Sequence, residues 1–274
     1  MPLTIVLCFL SAALDAYFGY LLYTLVNPWS TFILVALALP TFVALWVVWL
    51  LVLLIWGFFL NTKKEINRPN RFYYRIMKDA DFIFLWICRV KIVKRGLSLP
   101  KDQKFCIISN HVSGFDQLVM IKAIKQTPMV WVSKPENMKK PFAGPFIHHS
   151  GFIPINRENM TEGIKGIEKA GEYLKNNLCS VGIAPEGTRN KTDQAILPFH
   201  PGSFRIAQYG EAPLVITCLK NTNEIKHRSP WRRTIVYFDV LEIIPKEQVL
   251  SMSTADLAHH AEMLVKEDLS QEDF

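Results

Sequence analysis

At 274 residues the chain has room for one domain plus an extension, and its 50% hydrophobic content with a positive mean hydropathy exceeds what an ordinary soluble enzyme carries. The net charge of +7 raises nucleic-acid binding as a possibility, but the distribution of charge argues against it: residues 61–104 hold 12 Lys/Arg against four Asp/Glu, residues 105–274 hold 19 of each, and residues 1–60 contain a single charge, Asp15. A basic block directly behind an apolar stretch is better matched to anionic lipid headgroups than to DNA or RNA.

Two apolar runs open the chain, 3–26 and 31–60, split by Asn27-Pro28-Trp29-Ser30. A membrane span needs roughly 20 apolar residues, so each is long enough. The first run has no basic residue ahead of it and a second run comes directly after it, which speaks against a cleaved signal peptide. A continuous helix through the second run would measure about 45 Å at 1.5 Å per residue, longer than a bilayer core, so a tilt or a kink at Pro40 is expected. Asp15 would cost about 2.5 to 3.5 kcal/mol at a bilayer centre, which keeps a hairpin held in one leaflet in competition with two full spans. Residues 1–60 are therefore predicted to be a two-helix membrane anchor and 61–104 a basic juxtamembrane segment. The positive-inside rule puts that segment, together with residues 105–274, on the cytoplasmic side. Phe72, Tyr73, Ile76, Ile83, Phe84 and Trp86 interleave with its charges in a nearly amphipathic helical pattern whose apolar face has two competing destinations, the domain or the membrane.

From Phe105 the pattern alternates. Strands are predicted at 105–109, 129–132, 152–155, 181–184, 214–219 and 234–244. Helices are predicted near 116–126, broken over 135–147, over 159–176 with a cap at Asn159 and Glu162, over 202–209, and over 256–269. Such alternation predicts an α/β fold, a largely parallel sheet sandwiched by helices, over residues 105–274. The five cysteines are scattered and unpaired in spacing, as expected of reduced, buried thiols.

Within that domain Asn110-His111-Val112-Ser113-Gly114-Phe115-Asp116 comes after an apolar strand. Five residues of helix separate two side chains by about 140°, and five of strand put them on opposite faces, so neither element lets His111 meet Asp116. Ser113-Gly114 supplies a bend that does, which gives a general base with its orienting carboxylate. His111, Arg157, Glu186 and Arg189 each stand a few residues after a strand, at the carboxyl ends where an open α/β sheet binds ligands. His148 and His149 are neighbours with no acid or cysteine cluster near them in sequence, and no metal is assigned.

The His111/Asp116 motif, then Gly151-Phe152-Ile153-Pro154-Ile155-Asn156-Arg157, then Ala184-Pro185-Glu186-Gly187-Thr188-Arg189, then Ala212-Pro213-Leu214-Val215, resemble in order and spacing the glycerolipid acyltransferases, in particular those that acylate 1-acyl-sn-glycerol-3-phosphate. The likeness spans about residues 60–245. It departs from the family pattern at Ala184, where an aromatic or aliphatic residue is usual, at Asn156, often Asp, and at His200, commonly Lys. The resemblance implies a membrane enzyme of phospholipid biosynthesis that moves an acyl group from acyl-CoA or an acyl carrier protein to the sn-2 hydroxyl of lysophosphatidic acid, giving phosphatidic acid. His111 would be the base and Asp116 its partner. Glu186, Gly187 and Thr188 would form the acceptor loop. No cofactor is implied beyond the thioester co-substrate. Arg157 and Arg189 suit an acceptor phosphate, since a guanidinium grips two oxygens at once. Lys134, after the 129–132 strand, would add charge for phosphate or carrier. Ser113 as an acylated nucleophile is redundant when the lipid hydroxyl attacks directly. Two other functions stay open: acylation of a different lysophospholipid, and a non-catalytic membrane protein that binds lipid or acyl carrier.

Overall fold

The computed structural model describes residues 3–25, 43–44, 47–49, 51–124, 128–141, 143–156 and 159–271. Arg157, Pro40, the Asn27–Ser30 break and half of the second apolar run lie outside the described residues.

Seven strands form one mixed sheet in the order β1 (Val90–Gly96), β7 (Thr234–Ile244), β6 (Leu214–Lys220), β2 (Cys106–Ser109), β5 (Ser180–Ile183), β3 (Met129–Ser133), β4 (Ile153–Pro154). Every neighbouring pair is parallel except β6 with β7, whose register shifts at Ile216/Thr217. The central strands β2, β3, β5 and β6 are buried at every position, as near-continuous apolar runs covered on both faces must be.

Helices cover this sheet in two groups. The first contains α2 (Arg71–Ile87), α3 (Asp116–Ala123), α4 (Pro135–Met138) and α5 (Ala143–His149); α2 packs on both α3 and α5. The second contains α6 (Met160–Lys175), α7 (Arg205–Tyr209) behind a 3₁₀ turn at Pro201–Phe204, α9 (Lys246–Ser251) and α10 (Thr254–Ser270). The short α8 (Glu224–Arg228) bridges β6 and β7. Asn159 caps α6 as its spacing suggests, its side chain accepting the Thr161 and Glu162 N–H groups. Ile164, which the helical period puts on the apolar face of α6, is exposed, and Gly166, Ala170 and Gly171 do the close packing.

The sequence pattern missed β1. Lys91, Lys94 and Arg95 made residues 90–96 look like part of a solvated basic segment, yet this is an edge strand whose parallel partner β7 lies more than 130 residues downstream. Two of its three charges bond within the fold. Arg95 grips Asp239 with two bonds of 2.7 and 2.6 Å, and the Lys94 ammonium donates to the Ala123 carbonyl. The basic segment thus supplies a helix and a strand to the fold.

At the amino end, α1 (Leu3–Leu25) is a 23-residue helix carrying Asp15, and residues 51–59 are helical. Among the described residues no helix is long and apolar enough to cross a membrane. Trp56 contacts Phe72, Tyr73 and Phe146 at ring separations of 5.5 to 6.0 Å, which ties the end of the apolar region to α2 and α5.

Candidate active site

Strand β2 delivers the site. Past Ser109, the Asn110 side chain exchanges two bonds with the Leu219 backbone, 2.8 and 2.9 Å, and so locks the end of β2 to β6. The chain then turns through Ser113-Gly114 and enters α3 at Asp116. The bend brings the two ends of the motif together: His111 Nδ1 stands 2.7 Å from Asp116 Oδ2.

That carboxylate is almost fully buried, and each of its oxygens is engaged. Oδ2 also accepts the Val112 and Ser113 N–H groups at 2.9 and 2.8 Å, and Oδ1 accepts the Thr222 hydroxyl. A buried charge is tolerated only with such partners, and the first turn of a helix adds a favourable dipole. Because a carboxylate can only accept, Nδ1 must carry the proton, which leaves Nε2 of a neutral imidazole as a lone pair. His111 keeps about a fifth of its side chain exposed. The pair therefore presents one basic nitrogen outward, held in a single tautomer.

Glu186 adds a second buried carboxylate beside the turn. It is buried, Oε1 accepts the His111 N–H at 2.5 Å, and Oε2 accepts the Leu197 N–H at 3.0 Å. Burial raises its pKa, while those two N–H groups and His111 pull the other way. Glu186 thus joins the backbone of the His111 turn to the 184–197 loop. The Asn190 N–H donates to the His111 carbonyl at 2.7 Å, a second tie between the same two segments. Gly187 sits at φ +75°, where a side chain would be strained, and its N–H closes a turn onto the Ala184 carbonyl.

Arg189 and Thr188 are exposed beside this turn. The Arg189 Nη1 atom lies 3.8 Å from where a Cβ on Gly114 would stand, so the guanidinium hangs over the bend between His111 and Asp116. Lys134 comes just after β3 on the same rim and is exposed. Ser113 is buried with its Oγ accepting the Phe115 N–H, so it shapes the bend. Asn110, His111, Asp116, Gln117, Trp131 and Ala184 line a small recess at this point. Trp131 lies across Gly182, whose missing side chain makes room for the indole, and the small Ala184 stands two residues on, just past the end of β5. Asn110 and Thr222 were not predicted as parts of the site. Asn110 adjoined the motif and was readable as its anchor, whereas nothing in the sequence marked Thr222, 106 residues from the carboxylate it meets.

Residues 91–220 match the family model described as Acyltransferase. That segment is just under half of the chain, and over it the chain resembles the acyltransferase family. The match opens inside β1, in keeping with that strand's place in the sheet. The chain is 26% identical over 166 residues to the 1-acyl-sn-glycerol-3-phosphate acyltransferase of Escherichia coli K12, covering 61% of this chain and 67% of that one. It is 31% identical over 156 residues to the enzyme of the same name from Saccharomyces cerevisiae, covering 57% and 49%. Its fold is similar to the crystal structure of the 1-acyl-sn-glycerophosphate acyltransferase PlsC from Thermotoga maritima, with a TM-score of 0.57 at 21% identity, over 80% of this chain and 86% of that one.

Proposed function

We propose that this acyltransferase transfers a fatty acyl group from a thioester, on CoA or an acyl carrier protein, to the sn-2 hydroxyl of lysophosphatidic acid. The observation that carries the reading is His111, its Nδ1 bound by a buried carboxylate and its Nε2 free at the carboxyl rim of the sheet. The acceptor hydroxyl gives its proton to Nε2 as its oxygen attacks the thioester carbonyl carbon. Asp116 stabilises the imidazolium that forms. The tetrahedral intermediate then collapses with cleavage of the carbon–sulfur bond, and the imidazolium proton passes to the departing thiolate. The protein needs no covalent intermediate, and the thioester brings all the activation.

Arg189 and Arg157 receive the acceptor's phosphate, Lys134 adds positive charge along the same rim, and Thr188 borders the acceptor. Glu186 and Gly187 hold the loop that carries Arg189. The names of the relatives support this acceptor, as does the guanidinium above Gly114. The amino-terminal apolar residues anchor the protein to the membrane, with residues 61–274 on the cytoplasmic side next to anionic lipid. The protein stays with membranes in high salt, which screens the basic residues and leaves the apolar contacts intact.

The deciding assay offers purified full-length protein a panel of lysolipids with different headgroups, each with acyl-CoA and with acyl carrier protein. Preferred turnover of lysophosphatidic acid supports the reading. A clear preference for another lysolipid transfers the assignment to that acceptor, and absence of turnover with every pair leaves only binding.

A further inference from the structure

The rim that carries His111 continues across the sheet into a corner that the transfer reaction does not use. Strand β6 is parallel to β2 and β7 is antiparallel to β6, so β7 starts at the same end of the sheet where β2 delivers His111. Strand β1 starts there too, since Val90 pairs with Thr234. The end of α2 and the turn before β7 are bonded into one corner: Arg89 Nη1 donates to the Trp231 carbonyl at 2.9 Å, and the Thr234 N–H donates to the Arg89 carbonyl at 3.3 Å.

The chemistry of this corner is one-sided. Trp86 and Trp231 are 70% and 84% exposed, and Ile87 is exposed beside them. Around them stand the exposed Arg89, Lys91, Lys226, Arg228, Arg232 and Arg233, facing one acid of the neighbouring helix, Glu224, itself paired with Arg228 at 3.2 Å. Exposed indoles cost free energy in water but suit a membrane interface, where an apolar ring and a polar N–H are both satisfied. Cations without matching acids call for an anionic partner. The corner is also joined to the catalytic turn at two points. Phe84 of α2 stacks on Phe115, ring planes 7° apart and centroids 5.8 Å apart, and Thr222, just ahead of α8, holds Asp116.

We propose that the corner formed by Trp86, Ile87 and Arg89 with Trp231, Arg232 and Arg233 is a docking face for an anionic bilayer surface, separate from the amino-terminal apolar region. It rests on the reading that the acceptor is a membrane lipid. Two attachments fix an orientation where one would leave the domain swinging, and this one sits at the end of the sheet where the base is presented. A lipid whose tail stays in the bilayer then reaches His111 without being lifted into water.

The test uses full-length protein in vesicles of mixed phosphatidylcholine and phosphatidylglycerol, with ordinary or brominated acyl chains. The chain holds seven tryptophans, so the Trp231 signal is taken as wild type minus Trp231→Phe. The expected result is that bromine quenches this difference signal. A difference signal untouched by bromine places Trp231 in water and overturns the proposal. This arm needs no turnover, so it stands even if the acyl-transfer reading fails. In the second arm, the Arg232→Glu/Arg233→Glu variant is expected to lose roughly 25-fold or more in transfer to lysolipid embedded in the anionic vesicles, each basic residue near such a surface being worth about fivefold. Its transfer between a short-chain lysolipid and a short-chain thioester, both monomeric in solution, is expected to stay at the wild-type rate. Equal losses in both assays, or none in either, overturn the proposal. So does a rise confined to the KM for acyl carrier protein, which would give the corner to a protein partner.

Discussion

The His111–Asp116 turn and helix α2 lie against each other and solve opposite problems. The turn buries a charge: Asp116 is almost sealed from water and takes four hydrogen bonds, from His111, Val112, Ser113 and Thr222. Helix α2 leaves apolar bulk outside: Phe72, Phe82, Phe84, Trp86 and Ile87 are exposed, although Tyr74, Met77 and Leu85 pack inward as an ordinary amphipathic helix would. Each departs from the usual rule that charge faces water and carbon faces the core. The turn can depart because its donors are all local or one strand away, so desolvation is offset bond by bond. Ring contacts from Trp56 and Phe115 cover Phe72 and Phe84 in part, but among the described residues Trp86 stays 70% exposed, as apolar bulk at an interaction surface does. The two regions teach the same lesson, that an inversion of normal burial marks a place where function has set the residue.

The contrast breaks most sharply at His111. If the turn exists to present Nε2, His111→Ala should lower transfer by about 10²- to 10⁴-fold while far-ultraviolet circular dichroism stays native, because the ring is held, among the described residues, by its bond to Asp116 alone. Folded variant with near-normal turnover would reduce the turn to a structural device.

Asp116→Asn comes next. Removing the charge weakens the hold on Nδ1–H and the support for imidazolium, so kcat should fall on the order of 10²-fold, less than for His111→Ala. An amide also offers N–H where an acceptor is required, which should cost about 1 to 3 kcal/mol in chemical denaturation. A loss of stability without loss of kcat in the folded fraction would separate the buried network from the chemistry.

Arg189 is exposed and belongs to neither packing problem, so its replacement should touch binding alone. Arg189→Lys keeps the charge and removes the two-pronged grip. Steady-state kinetics in mixed micelles should show the KM for lysophosphatidic acid rising about tenfold, with that for the thioester nearly unchanged. The reverse pattern would assign Arg189 to the carrier.

The smallest effect compares two carboxylates directly. Asp81 of α2 is half-buried, and no donor among the described residues reaches it; burial raises its pKa from 3.8 to about 7. A folded pKa above the unfolded one means that the folded state holds a proton the unfolded chain has released. The resulting stability is complete below about pH 4 and is lost as pH rises through about 7. Asp81→Asn, neutral throughout, should therefore melt close to wild type at about pH 4.5 and a few degrees higher at about pH 8. A melting difference that does not grow with pH would show that Asp81 is as well solvated or as well paired as Asp116.

Much of the site was legible before the fold was known. His111 and Asp116 were paired by elimination, since five residues of helix or strand keep them apart and only a bend at Ser113-Gly114 brings them together. The central strands announced themselves as short apolar runs, and Asn159 announced the start of α6. Glu186 was found as a residue standing after a strand, but nothing local said that its two oxygens would be taken by backbone N–H groups at positions 111 and 197.

What the sequence determined by itself is what depends on local geometry and on the period of apolar residues: the α/β alternation, the bend of the catalytic motif, and the segregation of +8 net charge, 12 basic residues less four acidic, into residues 61–104. The tertiary structure alone decided what depends on contacts between distant segments. It made 90–96 an edge strand beside β7, brought Thr222 onto Asp116, and hung Arg189 over Gly114. It also turned the aromatic side of α2 outward and set Trp231 beside Arg89. The physical reason is that pairing across more than a hundred residues leaves no periodic trace in either partner, because each strand or loop needs only a complementary surface there and many sequences supply one.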